Sequence, residues 1–142
     1  MNDTLITFSG WVGGNVELAR TTTGAAVATL RVGSTPRRLK DGAWEDQETI
    51  WYSVKAWRAL AENVAASVRR GQPVLVAGRL VAETWDKPDG TSATRHVVVA
   101  TSIGHDLARG RAEFSRPARP EVVEEVAGEE GQREEGQREE AA

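Results

Sequence analysis

A chain of 142 residues, 39% apolar and 27% charged, is long enough for one domain with a real core and too short for two. It has no cysteine, which excludes disulfides, thiolate metal sites and a cysteine nucleophile. No apolar run approaches a membrane span and the amino terminus lacks a basic-then-apolar leader, so the expectation is a soluble, cytoplasmic (nucleoid-associated) protein without membrane contact.

The formal net charge of −3 is uneven along the chain. Residues 1–110 carry 13 Lys/Arg against 11 Asp/Glu, whereas residues 111–142 carry 5 Arg against 10 Glu. The acidic balance therefore belongs to the end of the chain and says little about what the rest binds.

Leu5 to Gly13 alternates, with Ile6, Phe8 and Val12 on one face and Leu5, Thr7, Ser9 and Trp11 on the other, which predicts a strand. A turn at Thr21–Gly24 leads to a second strand over Ala26–Gly33, with Ala28, Leu30 and Val32 on one face. Next comes a polar stretch whose Asp41-Gly42 is a hairpin-turn dipeptide. The third strand runs over Thr49–Trp57. The period then changes: Leu60, Val64 and Val68 recur at every fourth position, predicting an amphipathic helix over Arg58–Arg70 that stops at Gly71. Strands resume over Pro73–Trp85 and Arg95–Ile103, separated by Asp86-Lys87-Pro88-Asp89-Gly90.

Three strands, one helix and two strands is the order of an OB-fold, an all-β, five-stranded Greek-key barrel with its helix between strands 3 and 4. The expected domain occupies residues 1–108. The remainder, 109–142, contains the near-repeat GEEGQREEGQREE and too little apolar surface to offset its ordering entropy, so it is expected to be a disordered Glu-rich tail.

Five Trp stand against two Phe and one Tyr, and such large flat side chains call for a reason. With Ile50, Tyr52, Val54 and Ala56 inward, alternation turns Trp51, Ser53, Lys55 and Trp57 outward, the two rings about 20 Å apart along the strand. On the fourth strand Arg79 and Trp85 are in phase. Unpaired bases stack on aromatic faces at roughly 1–3 kcal/mol each while cations track the phosphates. Arg31, and Arg37, Arg38, Lys40 and Trp44 in the adjoining loop, extend the same combination. The competing reading for Trp51, Trp57 or Trp85 taken singly is a subunit-interface residue or one lying under a loop.

Enzymatic readings find no support. His96 and His105 are isolated, no carboxylate cluster has metal-ligand spacing, and Gly13-Gly14 reads as a turn or bulge because no helix comes after it. No cofactor is expected.

The stretch DTLITFSG…TTTGAAVATLRVGSTPR…GAWEDQETIWYSVKAWRALAENVAASVRRGQPVLVAGRL resembles bacterial single-stranded DNA-binding proteins over about residues 4–107, most of all their actinobacterial branch. The resemblance implies a homotetramer of OB-folds that wraps single-stranded DNA with little sequence preference during replication, recombination or repair. By position it matches Trp51, Trp57 and Trp85 to base-stacking aromatics, and Arg70 to a basic residue near the DNA path.

The chain also departs from that pattern. The stacking aromatic at the end of the second strand falls near Pro36-Arg37, with Trp44 as the candidate replacement, and Leu5 stands where lysine is common. Val81, Ala82 and Glu83 occupy positions where the family often has arginines, which implies weaker or more salt-sensitive binding. The final GQREEAA differs from the family's acidic stretch with a short apolar tip, as in a paralogue-like copy, so recruitment of repair or replication enzymes through it is expected to be weak or absent. An RNA-binding OB-fold or a protein-interaction module remains the alternative.

Overall fold

The computed structural model describes residues 2–118 and comprises eight strands and one helix in this range: β1 (Thr4–Val12), β2 (Glu17–Arg20), β3 (Ala26–Ser34), β4 (Arg37–Lys40), β5 (Ala43–Asp46), β6 (Ile50–Trp57), α1 (Arg58–Ser67), β7 (Pro73–Asp86) and β8 (Ser92–His105). A compact unit ends at Ala112. Residues 113–118 have no regular secondary structure, and the Glu-rich part of the expected tail lies outside the described residues.

The five strands expected from alternation are the five that close the barrel. They are hydrogen-bonded in the order β1-β7-β8-β6-β3, and β1 returns to β3 through Trp11↔Gly33 and Val12↔Val32. β6 and β8 run parallel, with Ser53 opposite Val97 and Lys55 opposite Val99, while the other barrel pairs are antiparallel. This closed Greek-key barrel is the OB architecture.

The strand count needs correcting, because in chain order the helix comes after the sixth strand, not the third. β2 is a short addition at the edge of β3, and β4 and β5 form a separate two-stranded hairpin. All twelve residues of these three strands are exposed, so no buried face imprints alternation on them. The hairpin turns at Asp41-Gly42, both at positive φ (50° and 80°), the backbone that a two-residue turn of matching twist requires.

The core is aliphatic: Leu30, Val32, Val54, Val74, Val76 and Val98 are essentially inaccessible. Helix α1 adds Ala61 and Val64, and Val68 beyond its end. It ends at Ser67, earlier than Arg70, because Val68 turns to an extended conformation. The Arg69 guanidinium donates to the Ala65 and Ala66 carbonyls at 2.8 and 3.1 Å, satisfying acceptors that the last turn leaves open. Tyr52 faces inward as expected and stacks on Phe8, ring centroids 4.1 Å apart. Ile50 does not: at the strand's first position it lies beyond the packed interior and is 47% exposed.

Candidate nucleic-acid interface

The outer surface of β3, β6, β8 and β7 gathers most of the residues singled out from sequence. Register places Arg31 opposite Ser53 and Gly33 opposite Trp51 on the β3–β6 pair. On the β7–β8 pair, Arg79 lies opposite Val99 and Glu83 opposite Arg95. Directly paired residues share a face, so these side chains line one continuous surface away from the core.

Trp51 is held there by glycines. A Cβ on Gly13 would collide with the Trp51 ring, and one on Gly33 would approach it to 2.9 Å. The two bare backbones thus make a seat for the indole. The guanidinium of Arg31 lies 5.0 Å from its centroid, and about half of the side chain remains open to solvent. Gly13, where the chain leaves β1 at the bend before β2, donates its amide to the Arg31 carbonyl at 2.9 Å, and its missing Cβ leaves room for the Trp51 ring.

Trp85, toward the outer end of β7, is also about half exposed, and Arg95 stands 5.7 Å from its ring. Trp57 is half-buried at the β6–α1 junction. Together with Arg58, Arg79, Thr21 and Thr23 it lines an open depression of about 480 Å3. Arg58 has φ +58°, a left-handed conformation that L side chains adopt only at a cost, and it starts the helix immediately after Trp57.

The remaining candidates are more dispersed. Trp44 is exposed on the β4–β5 hairpin opposite Leu39, with Arg37, Arg38 and Lys40 on the facing strand. Arg37 is paired with Asp46 at 3.1 Å. Arg70 stands apart, lining a separate depression with Asn15, Val16, Ala65, Val68 and Arg69 near the helix C-terminus.

Lys55 points outward but does not stand alone. Its ammonium donates to one carboxylate oxygen of Glu83 at 2.6 Å, and Arg95 reaches the other oxygen at 3.3 Å. The Lys55 hydrogen bond holds the Glu83 carboxyl below the ordinary glutamate range; Arg95 adds to this, and partial burial opposes it. Underneath, Val97 is fully buried although its register places it on the outer side.

Arg95 and Arg58 were missed from sequence. Arg95 begins the expected fifth strand, but its value depends on lying opposite Glu83 and near Trp85, which only register supplies. Arg58 reads as an ordinary helix-start residue. Among the described residues, no group of three His, Cys, Asp or Glu could hold a metal. His105 Nε2 and the Gln72 side-chain oxygen lie 2.9 Å apart, a structural contact near the end of β8, and His96 is exposed.

The profile of the Single-strand binding protein family matches residues 1–106. The chain belongs to that family. Single-strand binding relatives include a single-stranded DNA-binding protein of Corynebacterium glutamicum, 37% identical over 84% of this chain and 54% of its own length. Another, from Mycolicibacterium smegmatis, is 38% identical over 82% of this chain and 72% of its own length. The chain thus spans little more than half of the first relative. Among solved structures, the small single-stranded DNA-binding protein of Streptomyces coelicolor superposes with a TM-score of 0.67 at 35% identity, covering 78% of this chain and all of that one. These relatives are actinobacterial single-strand binding proteins, the branch that the sequence resembles. They are named as binding proteins, not enzymes. No helix among the described residues is long and apolar enough to cross a membrane.

Proposed function

We propose that this chain binds single-stranded DNA with little sequence preference and protects it during replication, recombination or repair in the cytoplasm. The observation that carries this reading is the pair of half-exposed indoles, Trp51 and Trp85, on one outer face, each with a guanidinium beside it. A base has a π-face whatever its identity, so stacking tolerates sequence, while Arg31 and Arg79 contact the phosphates. Trp57 continues the platform at the helix junction. The β4–β5 hairpin, with Trp44, Arg37, Arg38 and Lys40, is a second arm that touches the strand. Arg70 contributes at the periphery.

The family and the names of the relatives support DNA as the ligand. We assign a homotetramer as the working form. Leu5, Trp11 and Leu75 share the outer side of the β1–β7 pair and are 79%, 46% and 49% exposed, an apolar surface suited to a second copy. A concentration-independent monomer in sedimentation would refute this assignment.

The deciding experiment is titration of intrinsic Trp fluorescence with oligothymidine at two salt concentrations, with an oligouridine competitor. Strong quenching, weaker binding at high salt and poor competition by RNA are expected. Equal or better competition by RNA would transfer the function to RNA, and no quenching with either would leave a protein-interaction module.

A further inference from the structure

We propose that Glu83 sets the affinity of this surface by occupying, as a built-in carboxylate, the place between Lys55 and Arg95 that a DNA phosphate would take. The inference rests on the single-stranded DNA reading and deepens it. Glu83 comes from β7, Lys55 from β6 and Arg95 from β8, so three strands converge on one anion. Both carboxylate oxygens are used: Oε1 accepts from Lys55 at 2.6 Å, and Oε2 accepts from Arg95 at 3.3 Å from Nη2 and 3.4 Å from Nε.

The cluster is not a rim contact. The Lys55 and Glu83 side chains are 22% and 31% exposed, and Val97, opposite Ser53 in the same face, is fully buried. Water therefore screens this pair less than it screens the exposed Arg37–Asp46 bridge. A carboxylate resembles a phosphate in charge and in accepting two charge-assisted hydrogen bonds, and here it is tethered next to its donors. An incoming phosphate gains Lys55 or Arg95 only by displacing Glu83, so the centre of the face is weakened while Trp51 and Trp85 remain open.

The test compares the full-length parent with Glu83→Gln, which is close to isosteric and leaves the backbone untouched. Binding to labelled oligothymidine is measured by anisotropy from 50 to 500 mM salt. Each newly neutralised phosphate steepens the log–log salt slope by about 0.7 for a single strand. One added contact therefore makes Glu83→Gln about eightfold tighter at 50 mM and about threefold tighter at 200 mM.

Lys55→Ala in each background separates this role from a merely structural one. In the parent it should alter binding by less than about twofold, because the ammonium is already occupied. In the Glu83→Gln background it should abolish most of the gain. An unchanged affinity and slope in a folded Glu83→Gln protein, or an equal loss from Lys55→Ala in both backgrounds, overturns the proposal. Glu83→Ala, scored the same way, covers a glutamine that re-forms the hydrogen bond. A parent that does not bind oligothymidine removes the DNA reading itself, whereas a binding parent with an indifferent Glu83→Gln removes only the role of Glu83.

Discussion

Replacing Trp51 by Ala deletes a ring that is half exposed, seated against Gly13 and Gly33, and approached by Arg31 at 5.0 Å. Little of the core depends on it, so the variant should fold with nearly unchanged secondary structure. A base stacked on the ring contributes about 1–3 kcal/mol. Part of that replaces the Arg31 contact already present in the unbound protein, itself about 0.5–1 kcal/mol at an exposed site. The net loss is then about 0.5–2 kcal/mol, a 2- to 30-fold increase in Kd. Anisotropy with labelled oligothymidine, oligocytidine and oligoadenine measures it without relying on Trp emission. The loss should be similar on all three strands, and Trp51→Phe should recover part of it. A folded Trp51→Ala protein with the parent's Kd on every strand would refute base stacking at this position.

The glycine seat gives a related expectation: Gly13→Ala should displace the Trp51 ring and weaken binding about as much as Trp51→Ala, while the thermal midpoint moves little, since a side-chain ring and not backbone must shift. A large fall in melting temperature with intact binding would contradict that. For Glu83, whose carboxyl is lowered in the folded protein, the ion pairs contribute stability above the unfolded value of about 4.3, and this is lost as pH falls through the lowered folded value. The parent's margin in melting temperature over Glu83→Gln should accordingly be constant from about pH 5 to 7 and shrink toward pH 3; a margin that widens on acidification is inconsistent with the assignment. In the core, Leu30→Ala removes a side chain that is 1% exposed and should cost about 2–5 kcal/mol in urea unfolding, with a loss below about 1 kcal/mol counting against the packing described.

Alternation and period in the sequence carry the barrel strands, the helix, and the outward direction of Trp51, Lys55, Trp57, Arg79 and Trp85, because each burial face repeats every second or every 3.6 residues. Tyr52 turned inward for the same reason, onto Phe8. Elements without a buried face left no alternation, which is why β2 and the strands β4 and β5 emerged only in three dimensions, although the Asp41-Gly42 turn between the latter two was legible from its residue types. Alternation also assigns a face without assigning neighbours. Glu83 and Lys55 are 28 residues apart and meet only because β8 lies between their strands in the sheet order, a consequence of parallel pairing with β6 and antiparallel pairing with β7. The sequence therefore determines that Lys55 faces the outer side of the sheet, while the closed sheet decides that a carboxylate is already there to hold it.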